Sequence, residues 1–134
     1  DSNLFHKCIL LLLLLLLNAI LECLRSTDQH PSAETVHEML RSEHPDISLA
    51  TVYRNLALFK KQGIIQSIGT VNGIERFDAN TDPHVHFVCT GCDAVLDFPQ
   101  VEVPTALGSD AEKQTGCHIN GCQLTFTGLC QKCI

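Results

Sequence analysis

Two pairs of closely spaced cysteines constrain this 134-residue chain more than any other feature. Each pair has the spacing Cys-x-x-Cys, and 37 residues separate the pairs, which are Cys89 with Cys92 and Cys130 with Cys133. Each pair places two thiolates on one tight turn. Two such turns complete a closed tetrahedral shell of four sulfurs, which suits Zn(II). Because this shell leaves no position for a substrate, we predict a structural zinc site.

Two other uses of these cysteines compete with zinc. Thiol redox chemistry of the thioredoxin type is disfavoured because no β-α-β pattern precedes either pair. Two disulfides are the remaining alternative, although eight cysteines in 134 residues are fewer than a disulfide-stabilised scaffold has. A unit of about 50 residues has a marginal core, and the zinc affinity of such sites, about 10–16 kcal/mol, is enough to stabilise it.

The two halves of the chain differ in composition. Residues 1–80 contain seven Lys or Arg and two cysteines, whereas residues 81–134 contain two Lys or Arg and six cysteines. The change falls at 80–83, where Asn, Asp and Pro favour a turn. We therefore predict two domains, residues 1–80 and residues 81–134.

The first half predicts three helices followed by a hairpin. Ser32 and Ser48 are placed to cap the second and third helices. Asn72-Gly73 is a strong turn signal between the expected strands 64–69 and 74–77. This order is that of a winged helix-turn-helix, whose third helix enters the major groove of DNA. Its candidate DNA contacts are outward polar residues of the third helix: Thr51, Tyr53, Arg54, Asn55, Lys60 and Lys61.

Charge weighs against nucleic acid as a partner. The whole chain has a formal net charge of −6, and residues 1–80 alone have −2. A small helical domain with a solvated basic face therefore stays open as the alternative for the first half.

The second half predicts a small α+β unit. Strands are expected at 84–88, 94–98, 118–119 and 123–127, and a helix is expected at 104–115.

A second potential metal site contains no sulfur. His84 and His86 are two residues apart, so their side chains share one face of a strand. Asp78 and Asp97 lie nearby in the sequence and supply carboxylates. Imidazole and carboxylate together suit Fe(II), Mn(II) or Zn(II), so we predict a metal site here. His37, by contrast, is expected to be a solvated surface side chain.

The N-terminal segment contains eight consecutive leucines, residues 10–17, within an apolar run of ten. A membrane span needs about 20 apolar residues, and Asn18 and Glu22 interrupt any extension. Lys7 followed by leucines is similar to a signal peptide, but no small-x-small cleavage site follows. We expect an ordinary helix and no membrane association, with a signal peptide as the alternative.

Taken together, these motifs resemble the ferric uptake regulator family of metal-dependent bacterial repressors. The resemblance covers roughly residues 19–133. It is carried by His-Pro-Ser-Ala at 30–33, Ala-Thr-Val-Tyr-Arg-Asn-Leu at 50–56, Arg-Phe-Asp at 76–78, His-Val-His-Phe-Val-Cys at 84–89 with Cys92, Val-Leu-Asp-Phe at 95–98, and the final cysteine pair.

The resemblance implies an α+β homodimer, in which a winged helix-turn-helix precedes a small α/β dimerisation domain with the four-cysteine zinc site. It also implies structural Zn(II) and a regulatory Fe(II) or Mn(II), the latter on His30, Asp78, His84, His86 and Asp97. The implied partner is a double-stranded DNA operator. We expect a cytoplasmic regulator rather than an enzyme, with no small-molecule substrate other than metal and peroxide.

The resemblance also implies a regulatory role for the second metal. His30 belongs to the first domain, and the other ligands to the hinge and the second domain, so bound metal would fix their relative orientation. Two DNA-binding domains could then meet successive major grooves, about 34–36 Å apart. Metal binding and DNA binding would favour the same state and would be linked reciprocally.

Aspartate at both positions 78 and 97 is most similar to the peroxide-sensing branch of the family, because iron-sensing members more often have glutamate there. In that branch, bound Fe(II) reacts with hydrogen peroxide and the resulting oxidant modifies a ligand histidine. The candidates here are His30 and His84. Mn(II) would support repression without this chemistry.

Three alternatives stay open. The first is an iron, zinc or manganese homeostasis regulator of the same family. The second is a non-haem iron enzyme, although five protein ligands leave little room for a substrate. The third is a zinc-stabilised module that does not bind DNA, since leucines occupy 12–17 where the family usually has a basic Arg-x-Thr-Pro-Gln-Arg stretch. Cys117 and Cys122 are expected as packing or surface residues, with a disulfide or an auxiliary site as the alternative.

Overall fold

The computed structural model describes residues 1–134 and contains four helices and five strands. These elements form two compact units, residues 1–81 and residues 82–134, and each unit has its own β-sheet. The fold is α+β, as predicted.

Three helices open the first unit: α1 (Ser2–Arg25), α2 (Ala33–Leu40) and α3 (Leu49–Lys61). The hydroxyls of Ser32 and Ser48 accept hydrogen bonds from the third backbone N–H beyond each, at 3.2 and 3.1 Å. Both capping predictions are therefore confirmed. Apolar side chains from all three helices and from the segment that follows α3 form one core, and the largest fully buried ones are Ile20, Leu24, Val36, Val52, Leu56 and Ile65.

A two-stranded antiparallel hairpin completes the first unit. It consists of β1 (Gln66–Val71) and β2 (Ile74–Asp78). The turn residues Asn72 and Gly73 have φ of 52° and 79°, the left-handed pair that the Asn-Gly signal predicts. The first strand begins two residues later than expected, because the N–H groups of Ile64 and Ile65 bond to the Phe59 carbonyl at the end of α3.

Helix α1 buries only its C-terminal part. Ile20, Cys23 and Leu24 are in the core, whereas residues 10–15 are 51–65% exposed. By length and composition α1 is the single helix that could cross a membrane. This is weak evidence, since core helices of soluble proteins and signal sequences pass the same test.

His37 departs from its expected place at the surface. The side chain is half-buried in α2, and its Nε2 lies 2.9 Å from the backbone oxygen of Ile47. The prediction of a solvated His37 was wrong because the loop before α3 folds back onto this face of α2 and provides a hydrogen-bond partner.

The second unit contains β3 (Val85–Cys89), β4 (Val95–Phe98), α4 (Ala106–Thr115) and β5 (Leu124–Gly128). Strand β3 is central, antiparallel to β4 and parallel to β5. The strand expected at 118–119 is absent, because the N–H of Ile119 donates to the Glu112 carboxylate, at 2.8 Å, rather than to a neighbouring strand. Only Val85, Cys89 and Val95 are buried apolar residues in this unit.

Candidate metal centres and DNA-contacting helix

The four cysteines of the two Cys-x-x-Cys pairs converge in the second unit. Cys89 ends β3 and Cys92 follows in the next turn, while Cys130 and Cys133 follow β5. Their sulfurs all lie within 4.8 Å of one another, and Cys92 Sγ is 3.8 Å from Cys130 Sγ. Tetrahedral Zn–S bonds of about 2.3 Å place sulfurs about 3.8 Å apart, so these four side chains fit a zinc ion.

No disulfide joins any of the eight cysteines, so the disulfide alternative finds no support in the structure. The Cys89 sulfur instead accepts hydrogen bonds from two backbone N–H groups, those of Cys130 and Gly91, each at 3.3 Å. These hydrogen bonds, with that of Cys130 the largest cause, lower the pKa of the Cys89 thiol to about 6. The Cys89 thiol therefore ionises more readily than an ordinary cysteine, and the thiolate is the form that zinc binds.

The neighbouring thiols raise the pKa of Cys133, whereas the pKa of Cys89 is lowered. Hydrogen bonds with Cys130, and then with Cys89 and Cys92, raise the pKa of the Cys133 thiol to about 12. Four sulfurs this close together cannot all ionise without a compensating positive charge. A divalent cation at the centre supplies that charge, which is the second reason that the cluster suits zinc.

In the first unit, His30 and Asp78 form a buried polar pair. His30 precedes α2, is 2% exposed and has a left-handed backbone with φ of 54°. Asp78 ends β2, and its Oδ2 lies 3.1 Å from His30 Nε2. The other oxygen of Asp78 accepts from the N–H of Asn80 at 2.9 Å. One imidazole and one carboxylate are therefore fixed in the orientation of two adjacent metal ligands.

In the second unit, another group of imidazole and carboxylate side chains is formed by His84, His86 and Asp97. The Nε2 atoms of His84 and His86 lie 3.2 and 3.5 Å from Asp97 Oδ1, and the two rings are 4.3 Å apart. His86 and Asp97 are paired directly across β3 and β4. Ligands bound at about 2.1 Å and near right angles are about 3 Å apart, so these three side chains also fit a metal ion.

The backbone orients His84 for metal binding. His84 Nδ1 lies 2.6 Å from the Asp82 carbonyl oxygen, so an N–H at Nδ1 can donate to that oxygen while Nε2 faces Asp97. Histidine ligands of metals are typically held in this way by a carbonyl or carboxylate behind the ring.

Helix α3 presents the polar residues that the sequence predicted as DNA contacts. Val52, Leu56 and Phe59 face the core, and the remaining surface of the helix carries the polar residues together with the exposed Leu58. Among the predicted contacts, the exposed ones are Tyr53, Arg54, Lys60 and Lys61, and the half-buried ones are Thr51 and Asn55. The Asn55 amide donates to the Thr51 carbonyl at 2.9 Å, so it is engaged within the helix.

Arg76 and Glu34 lie near these groups, and neither was assigned a role of its own from the sequence. The guanidinium of Arg76 donates to the carbonyls of Gln29 and His30, the latter a metal-ligand candidate. The hydroxyl of Tyr53 donates to the carboxylate of Glu34 on α2. Both contacts join residues far apart in the sequence, so no local pattern could have revealed them.

The family model described as the Ferric uptake regulator family matches residues 18–127. The chain therefore belongs to this family, which consists of metal-responsive transcriptional regulators rather than enzymes. The resemblance seen in the sequence is confirmed, as is the expectation of a regulator that is not an enzyme.

Individual relatives point to the peroxide-responding members. The chain is 33% identical over 121 residues to the Peroxide operon regulator of Bacillus subtilis, covering 87% of this chain and 79% of that protein. It is 34% identical over 117 residues to the Peroxide-responsive repressor PerR of Staphylococcus aureus, covering 86% and 77%. The crystal structure of the Campylobacter jejuni peroxide stress regulator superposes with a TM-score of 0.82 at 27% identity, covering 99% of both chains.

Proposed function

We propose that this chain is a DNA-binding repressor that requires a regulatory metal and releases its operator when peroxide oxidises a metal ligand. The observation that carries the proposal is that each compact unit contains a preformed group of imidazole and carboxylate donors. His30 and Asp78 lie in the first unit, and His84, His86 and Asp97 lie in the second.

The first unit is the proposed DNA-binding domain. A capped helix presenting a polar face, followed by a hairpin, is the arrangement by which winged helices enter the major groove. Arg54 and Lys61 supply positive charge for phosphates and guanine edges, and Tyr53 and Asn55 supply further hydrogen bonds. Thr51 and Lys60 complete the proposed contact set.

The second unit is the proposed dimerisation domain. Leu96, Phe87 and Phe126 are paired across β4, β3 and β5, so their side chains form one row on one face of the sheet. Leu96 and Phe126 at the ends of this row are 43% and 46% exposed. A second copy of the chain would cover this apolar row, as expected for a homodimer.

The regulatory ion would be bound by both donor groups together, so that it ties the DNA-binding unit to the dimerisation unit. Nitrogen and oxygen donors without sulfur suit Fe(II) or Mn(II), and five of them leave little space for a substrate. Structural Zn(II) would be held separately by the four cysteines. Since the metal and the operator favour the same arrangement of the two units, each would increase the affinity for the other.

The peroxide response would depend on which ion is bound. If Fe(II) is the bound ion, it would supply the electrons that reduce hydrogen peroxide, and His30 and His84 are the ligands proposed to be oxidised. Loss of one imidazole ligand would weaken metal binding, so the metal would no longer fix the two units in the DNA-binding arrangement and DNA would be released. The aspartates at 78 and 97 and the peroxide-responsive relatives favour this function over an iron, zinc or manganese homeostasis regulator. The proposed location is the cytoplasm.

The experiment is DNA retention by protein loaded anaerobically with Fe(II) or with Mn(II), before and after micromolar hydrogen peroxide. We expect both forms to retain an operator fragment and only the iron form to release it, with oxygen added to His30 or His84 detectable by mass spectrometry. Equal behaviour of the two forms would exclude peroxide sensing and favour a homeostasis regulator. Failure of both forms to bind any DNA would favour the zinc-stabilised module instead.

A further inference from the structure

Strand β2 and the segment 29–31 are joined by a series of adjacent contacts within the first unit. The guanidinium of Arg76 donates to the carbonyl of Gln29 through Nη2, at 2.7 Å, and to the carbonyl of His30 through Nε. The next residue of the strand, Phe77, donates its N–H to the Pro31 carbonyl at 3.1 Å. Three successive carbonyls are therefore held by two successive residues of β2.

These contacts hold His30 in a conformation that the backbone does not favour on its own. A non-glycine residue at positive φ is strained by its Cβ, and such a conformation persists only when its surroundings impose it. His30 is also almost completely buried, so its carbonyl cannot rely on water for a hydrogen bond. The fork of Arg76 supplies that bond and fixes the peptide that carries the imidazole.

We propose that Arg76 is the positioning residue for His30 as a metal ligand, an inference that rests on the proposed regulatory site. The guanidinium donates to the backbone of the loop rather than supplying a ligand itself. It holds the loop so that the His30 imidazole meets the carboxylate of Asp78, two residues further along the same strand. Without Arg76, the loop is free to leave the left-handed conformation, and an ion must then order it at a cost in affinity.

The same strand also contacts the proposed DNA-binding helix. Glu75, which precedes Arg76, accepts a hydrogen bond from Lys60 of α3 at 2.8 Å. Residues 75, 76 and 78 of β2 thus contact α3, the loop of His30 and His30 itself. The strand that contains Arg76 and Asp78 is therefore also in contact with Lys60, one of the predicted DNA contacts.

The test measures Mn(II) affinity of the zinc-loaded, full-length protein by competition with a fluorescent chelator, since Mn(II) avoids oxidation of the ligands. The variants are Arg76→Ala, Arg76→Lys, His30→Ala and the double variant of Arg76→Ala with His30→Ala. Arg41→Ala is the matched control, because Arg41 forms an exposed ion pair with Glu38 on α2. We expect Arg76→Ala to lose at least tenfold in affinity, Arg41→Ala to match wild type, and the double variant to lose no more than His30→Ala alone.

Arg76→Lys keeps the charge but lacks the planar fork that reaches two carbonyls, so its affinity should stay well below that of wild type. Wild-type affinity in Arg76→Ala, or losses that add in the double variant, would overturn the proposal. Hydrogen exchange in metal-free protein gives a readout independent of metal, measured at the amides of Gln29, His30 and Ser32 and at Phe77, whose N–H donates to the Pro31 carbonyl. Faster exchange in the Arg76 variants supports the positioning role, even if wild type binds no Mn(II) and the proposed function fails. Unchanged exchange contradicts the role.

Discussion

At position 91, only a glycine allows the two cysteine turns to approach each other as closely as they do. A Cβ placed there would lie 3.1 Å from both Cβ and Sγ of Cys133 and 3.3 Å from Leu129 Cδ2. Gly91 also donates its N–H to the Cys89 sulfur. One missing side chain therefore determines how closely the sulfurs of the two turns can converge.

We expect Gly91→Ala to weaken the structural zinc site, because the Cys133 turn must move by a few tenths of an ångström to admit the methyl group. Zinc should be lost at a chelator concentration about tenfold lower than for wild type, a loss of about 1.4 kcal/mol. Zinc content and circular dichroism during chelator titration measure this. The control is Gly121→Ala, where a Cβ would meet nothing within 4 Å. Equal resistance of Gly91→Ala and wild type would contradict the crowding argument.

Helices α2 and α3 are joined at the surface by the hydrogen bond from Tyr53 to Glu34. This bond lowers the pKa of the Glu34 carboxyl and raises the pKa of the Tyr53 hydroxyl. At neutral pH, α2 therefore carries a negative charge beside a predicted DNA contact of α3. Such a charge repels phosphates wherever the helix meets DNA, and only well-placed contacts at an operator can offset it.

The expectation for Glu34→Gln is a loss of specificity rather than of binding, because the amide still accepts from Tyr53 but no longer repels phosphate. Affinity for random DNA should rise about two- to fivefold, more than affinity for the operator does, and the rise should shrink at high salt. Fluorescence anisotropy with both DNAs over a salt series measures the ratio. Glu22→Gln, which removes the partner of Arg25 on α1, serves as the control. A ratio unchanged from wild type would show that Glu34 has no part in discrimination.

At the scale of helices and strands, the sequence predicted the elements well where local chemistry determines them. The serine caps, the Asn-Gly turn and the cysteine spacing each act over a few residues, so α2, α3, the hairpin and the four-sulfur cluster could be predicted. The failures at 118–119 and at His37 have a common cause. In each case a side chain and a backbone group of another segment formed a hydrogen bond that no periodicity encodes. The same holds for Arg76 and the carbonyls at 29 and 30, which are 47 and 46 residues distant in the chain.

For the whole molecule, the proposed dimer depends on the apolar row of the second sheet. We expect Leu96→Glu to dissociate the dimer, because burying an unpaired carboxylate against a second copy is unfavourable by several kcal/mol. Operator affinity should fall at least tenfold, since a monomer reaches one half-site, while zinc content stays unchanged.

Sedimentation velocity gives the mass, and DNA binding gives the affinity. Leu107→Glu is the matched control, because Leu107 is a similarly exposed leucine on α4. If Leu96→Glu remains a dimer, the dimer interface does not include this row of side chains.

The second unit has only three buried apolar residues around its cysteine cluster, and this scarcity has a thermodynamic consequence. A unit whose own core is marginal folds in proportion to the occupancy of its metal site. While free zinc stays above the dissociation constant of the folded unit, each tenfold change in its concentration shifts the stability of the unit by about 1.4 kcal/mol. Its folded population then follows a binding isotherm, so the lifetime of the chain against proteases depends on zinc supply as well as on sequence.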